Sequence, residues 1–282
     1  LQANQHFTAP AMAPAMYNLG QIGGILVFAP HFGIFGMVYG VILGAMLHLC
    51  IQLPALIHYR FRWSPGIALA SPAVRQVLNL MGPRVLSMLC LHFYFLARDR
   101  FASFYQEGGV SALNNGWFIM QLPETLIGTS IAIALLPSLS EFAVREDPNA
   151  FRQTIRRALQ TMLALALPVS AVMAATIRPL IDIVFNFGST ETNMAVWSTR
   201  LFLLGLVGHC WLEVGVRSWY AKQNARIPLL GSLLQLGLFI SLAILLPRLI
   251  GHAGLALADT FAFSSQALLL LFLLSRRHPG IL

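Results

Sequence analysis

Apolar and polar positions alternate on a long period in this chain: about 20 apolar residues, then a short polar break, eight times over. The apolar stretches cover 10–29, 34–57, 77–97, 118–136, 158–177, 194–216, 227–247 and 253–274. A helix rises about 1.5 Å per residue, so each stretch reaches across the roughly 30 Å hydrocarbon core of a bilayer. A membrane β-barrel would show short segments with an alternating pattern instead. The pattern therefore predicts an all-α integral membrane protein, a polytopic bundle of eight transmembrane helices.

Composition agrees, with 57% hydrophobic and 10% charged residues and a mean hydropathy of +0.72. A soluble domain carries about a quarter charged residues. The net charge of +8 does not imply nucleic acid, because the cations sort between alternate loops. One set holds Arg60, Arg62, Arg75, Arg145, Arg152, Arg156, Arg157, Arg217, Lys222, Arg226, Arg276 and Arg277. The other holds Arg98, Arg100, Arg178 and Arg248. Basic loops stay in the cytoplasm, so both termini of this segment are expected there. Asp147-Pro148 reads as a helix start, with Asp as cap and Pro at the first position. Arg152, Arg156 and Arg157 then share a face, suited to lipid headgroups or to an anionic substrate on entry.

Cys50, Cys90 and Cys210 lie far apart inside spans and read as small core residues. No phosphate loop, zinc-protease helix or nucleophile triad is present, so no catalytic residue, metal site or cofactor is expected. His6, His31, His48, His58, His92, His209, His252 and His278 are scattered and read as interfacial or packed. The chain opens at Leu1, and its first nine residues look like the tail of a preceding segment.

An internal repeat links the first two spans to the last two. Gln5 and Gln223, Pro10 and Pro228, Gly33 and Gly251, and Gly36 and Gly254 are each 218 residues apart. Both copies run cytoplasm to outside and back, so the repeat is parallel. Duplicated transporters place two such halves around a central pathway. The expected organisation is 1–58 as the last two helices of one lobe and 72–278 as a complete six-helix lobe.

Charges inside spans are costly and mark function by default. Arg84, Glu124, Arg200, Glu213 and Asp259 are the five such residues. The fourth span is the most polar. Asn114, Trp117, Phe118, Gln121, Thr125 and Gly128 are expected on one face, with Glu124 beside it after Pro123. Pro123 and Gly128 loosen that helix. The face suits the wall of a water-filled cavity, or polar ties between helices. Candidate cavity residues are Arg84, Asn114, Asn115, Phe118, Gln121, Glu124 and Asp259. For Asp259 a proton or cation site stands beside a plain interhelical tie. Arg98-Asp99-Arg100 is expected to be a solvated headgroup cluster, Arg200 to snorkel outward, and Glu213 to pair with Arg217 one turn on.

Several stretches resemble a known family: FTAPAMAPAMYNLG (7–20), IQLPAL (51–56), LMGPRVL (80–86), FASF (101–104), MQLPETLIGTSIAIALLPSLSE (120–141) and GHAGLALA (251–258). They resemble the lipid II flippase family, MurJ/MviN, of the multidrug/oligosaccharidyl-lipid/polysaccharide exporter superfamily. The resemblance implies a partial two-lobe exporter fold matching helices five to twelve of fourteen. It further implies alternating-access transfer of lipid II, an undecaprenyl-diphosphate-linked glycan, across the bacterial cytoplasmic membrane, with membrane lipids as the other partners. Family members commonly carry a cavity-facing arginine at the position of Phe118, and some carry an acidic residue at that of Trp117. Some bind sodium through the helices matching spans three, seven and eight. Span seven here offers only Gln235 and serines, so that site is not carried over. Rival expectations are an exporter of another polyprenyl-linked glycan or drug, and a non-transporting scaffold for cell-wall assembly. A chain with half a cavity is not expected to transport alone.

Overall fold

The computed structural model describes residues 8–59, 71–105, 108–185 and 188–277, the side chains of 73, 76 and 80 apart. Gln5, His6, Arg60, Arg62 and His278, which entered the reading above, lie outside the described residues. Every regular element among the described residues is helical. The chain divides into two compact units, Leu1–Ala68 and Leu69–Leu282.

The first unit is a hairpin of α1 (Thr8–Phe32) and α2 (Ile34–His58). Glycines let the two backbones touch: a Cβ on Gly24 would sit 2.3 Å from the Gly40 Cα. Such small-residue seams are how helices pack where lipid removes any hydrophobic drive. Cys50 is exposed on α2, not the core residue expected, because the sides of this hairpin away from the glycine seam are apolar and outward-facing.

The second unit contains α3 (Pro72–Tyr105), α4 (Gly109–Val144), α5 (Pro148–Phe185), α6 (Ser189–Leu204 and Leu206–Ala221), α7 (Arg226–Ile250) and α8 (Ala253–Arg277). Among the described residues seven helices are long and apolar enough to cross a membrane, and there are eight if the two bent parts of α6 count as one span. Helix α8 is the axis: 56% of its apolar window is buried, and α3, α4, α6 and α7 all pack on it. The outward faces carry large apolar side chains such as Leu126, Val184 and Leu249. The chain is a multi-pass membrane protein. The end of this unit bearing the turns at 145–147 and 222–225 also carries Arg226, Arg276 and Arg277 and is called the basic end below.

Helix α6 departs from the single continuous span expected. Its halves meet at Gly205 with a 47° bend. The Gly205 amide bonds the Phe202 carbonyl at 2.9 Å, which leaves the Leu201 carbonyl without its helical donor. The Thr260 hydroxyl of α8 donates to that carbonyl at 2.6 Å. A Cβ at Gly205 would come within 2.8 Å of the same hydroxyl, so the break is built around a glycine. Helix α4 loosens too, through a π-helical segment at Glu124–Thr129 directly after Pro123. Asp147 caps α5 as expected, its Oδ1 accepting from the Asn149 and Ala150 amides at 3.1 and 3.0 Å.

The repeat is visible in both units. Gly33 and Gly251 adopt φ of 58° and 69°. Their amides bond the Ala29 and Pro247 carbonyls at 2.8 and 2.9 Å. A Cβ on Gly36 would strike the Phe28 carbonyl carbon at 2.3 Å, and one on Gly254 that of Leu246 at 2.5 Å. Phe28 and Leu246 keep the same offset of 218.

Candidate functional site

Two clusters of polar residues in the second unit hold most of the charges inside its spans. The first forms where α3, α4 and α6 face one another. The Arg84 guanidinium of α3 lies over the Tyr220 ring, 5.2 Å from its centroid. Arg217, one turn before Tyr220's end of α6, is paired with Glu213, as the i,i+4 spacing predicts. Glu124 of α4 and Arg84 both lie within electrostatic reach of Arg217. Glu124 accepts from the Thr129 hydroxyl at 3.1 Å across the π-helical segment. Gly128 lets α4 lie against α6, since a Cβ there would lie 3.0 Å from the Cys210 Cα. The result is two arginines and two glutamates on three helices, with Arg84 exposed and the Arg217–Glu213 pair partly so.

The second cluster is sealed within the bundle. Asp259 of α8 is fully buried. Its Oδ1 accepts the Tyr94 hydroxyl of α3, and its Oδ2 lies 3.3 Å from His209 Nε2 of α6. Trp117, Phe239 and Phe263 pack around Tyr94. One turn beyond Tyr94, Arg98 donates to the Asn114 side chain of α4 and stacks on Phe95 and Trp117 at 5.0 and 5.7 Å.

Arg98 is only 2% exposed, which corrects the expected solvated cluster. Aromatic faces and the Asn114 carbonyl offset part of the cost of burying its charge. Arg200 does not snorkel freely either. Its Nε donates to the Ala174 carbonyl of α5 at 2.9 Å and its guanidinium covers Trp197.

The expected polar face of α4 splits in two. Trp117 and Gly128 turn into the core, whereas Phe118 is 64% exposed and Thr125 is exposed. Successive helical residues are about 100° apart, so Trp117 and Phe118 cannot share a narrow face. Asn115 and Gln121 are half-buried. Arg84 and Glu124 thus each lie within electrostatic reach of Arg217, and Asp259 is joined through Tyr94 to the stretch of α3 whose Arg98 holds Asn114, but the seven candidates do not form one site. Tyr94, Arg98, His209 and Arg217 were not among the expected site residues. The local signals are the i,i+4 spacing of Tyr94 and Arg98 inside an apolar run and that of Glu213 and Arg217.

A family model described as lipid II flippase MurJ matches residues 1–282. A probable lipid II flippase MurJ of Bdellovibrio bacteriovorus is 30% identical over 288 residues, covering 100% of this chain and 55% of that protein. The lipid II flippase MurJ of Burkholderia cenocepacia is 29% identical, covering 98% of this chain and 55% of that protein. The chain therefore spans about half the length of these curated relatives. A solved lipid II flippase MurJ in an inward closed conformation matches the fold with a TM-score of 0.79 at 23% identity, over 97% of this chain and 57% of that one. An outward-facing multidrug resistance MATE family transporter of the MOP superfamily matches at 0.65 and 17% identity, over 73% and 46%.

Proposed function

The chain belongs to the lipid II flippase MurJ family, and on that premise we propose that it forms part of a transporter for lipid II. The cargo would be an undecaprenyl-diphosphate-linked glycan moved from the inner to the outer leaflet of the bacterial cytoplasmic membrane. Its two units are the end of one lobe and the whole of a second, and its basic end faces the cytoplasm. The observation that supports the site is Arg84 lying over Tyr220 of α6, one turn from the Arg217–Glu213 pair, with Arg84 and Glu124 both within electrostatic reach of Arg217.

A diphosphate needs cations at membrane depth, where each ion pair is little screened. Arg84 and Arg217 supply two. While the site is empty, Glu213 and Glu124 balance Arg217, so the cost of holding the cation stays moderate. An arriving diphosphate competes for the same guanidinium groups. The loosened α4 and the bend of α6 give the lobe segments that rearrange as access alternates. The chemistry required is binding and release alone.

The test is complementation. Cells depleted of their own lipid II flippase are supplied with the whole protein or its R84Q/R217Q form, with membrane levels checked by immunoblot. Growth with the parent protein and lysis with the variant is the expected result. Equal growth at equal levels overturns the site. One observation favours the scaffold reading: Phe118 is exposed where the resemblance expects a cavity arginine. That reading predicts failure of the parent protein to complement.

A further inference from the structure

Asp259 is the most buried carboxylate among the described residues of the second unit, with 0% of its surface exposed. An unpaired carboxylate in such surroundings is costly and needs donors or a counter-charge. Tyr94 provides one hydrogen bond to Oδ1. The counter-charge comes from His209, whose Nε2 lies 3.3 Å from Oδ2. The imidazole stacks on Phe263 with centroids 4.4 Å apart and meets Trp117 edge-on at 5.4 Å. An arginine or lysine here would make a permanent ion pair. A histidine carries charge only while it holds an extra proton, so proton supply sets the net charge of the pair.

Among the described residues no second carboxylate is bonded to the pair. On the same face of α3, Cys90, Tyr94 and Arg98 follow at one-turn spacing. Arg98 is a permanent cation within electrostatic reach of Tyr94: it donates to Asn114, lies 3.4 Å from Asp99 and stacks on two aromatic faces, while its Nε and Nη1 have no hydrogen-bond partner. Helix α4 contributes Asn114 and Trp117, and α7 contributes Phe239 and Gln235, none of which titrates in this range. Helix α6 adds the Cys210 thiol beside His209. One carboxylate beside a group that becomes a cation suits a proton better than a metal ion.

The pair also straddles the break in α6. His209 lies four residues past Gly205, and Thr260, next to Asp259, holds the Leu201 carbonyl before it. Two consecutive residues of α8 therefore grip both halves of the bent helix.

We propose that the Asp259–His209 pair is a proton-binding site of the six-helix unit, positioned to set the bend of α6. In the neutral histidine, Nε2 keeps its proton for Oδ2 and Nδ1 is bare. Binding adds one proton from water at Nδ1, giving an imidazolium against the carboxylate and drawing the second half of α6 onto α8. Release returns that proton to water. As a coupling step this rests on the transporter reading; as a proton site it does not.

The test is pH-difference infrared spectroscopy of the whole protein in vesicles, with isotope-labelled histidine and no lipid-linked substrate. One component of the pH-dependent histidine bands is expected to vanish in H209Q while those of the other histidines persist. D259N removes the counter-charge and should lower the proton affinity of His209 at least tenfold. Y94F keeps the ring but removes a donor to the carboxylate, and should raise that affinity. A titration identical in the parent, D259N and Y94F overturns the proposal, as does a shift produced by sodium at fixed pH. Because no substrate is present, failure here leaves the flippase reading standing.

Discussion

An arginine at membrane depth persists when carboxylates, aromatic faces or water share its charge, and Arg84 and Arg217 use the first two. They are expected to differ from Arg200, which ties α6 to the Ala174 carbonyl of α5. R84Q or R217Q should slow transport by roughly tenfold or more, the scale of losing one charge-assisted contact, with little change in melting temperature. R200Q should lower the melting temperature and leave the transport rate per folded molecule near that of the parent. Paired melts and transport rates separate the two roles. His252, in the turn between α7 and α8, reaches Ser198 Oγ at 3.0 Å and the Met194 carbonyl at 3.1 Å. Burial pushes its pKa below the ordinary 6.5, against a smaller upward pull from the Met194 carbonyl. The unfolded chain then takes up a proton more readily than the fold, so this contribution is full above about pH 6.5 and is lost as pH falls through the lower folded value. Melting curves should show stability dropping on acidification, and H252Q should flatten that slope. Apart from Arg217–Glu213, which i,i+4 spacing announces, these pairings are not legible from sequence spacing. Tyr94 and Asp259 are 165 residues apart, and a tyrosine within LHFYFL reads as one more apolar position.

Helices and turns were more readable than side-chain partners, because their causes are local. The 218-residue offset of Gly33 and Gly251 marks two turns that need positive φ. The close approach behind Gly36 and Gly254 follows from the same hairpin geometry. The bend in α6 has no proline to announce it; its cause is Thr260 on another helix. The split face of α4 was misread because Trp117 and Phe118 are neighbours in sequence but diverge around the helix. At this scale G254V should destabilise by about 1–3 kcal/mol through forced separation of α7 and α8. G237A is the control, since a Cβ there meets nothing within 4 Å. Thermal unfolding in detergent should show a lower midpoint for the first and none for the second. Equal behaviour would mean that the α7–α8 seam does not depend on glycine contact.

For the whole molecule, a hairpin and a six-helix unit match about 55% of the length of the curated relatives. A pathway between two lobes needs both, so a polypeptide of residues 1–282 alone is not expected to move lipid II. The most direct measurement is a vesicle assay of the whole protein that carries this chain. Lipid II is placed in the leaflet on the side of the basic end, and its arrival in the opposite leaflet is read by an added reagent that modifies the headgroup. Rapid arrival with the parent protein, slowed at least tenfold by R84Q/R217Q, is the predicted result. Arrival at the parent rate with both arginines replaced would contradict the account.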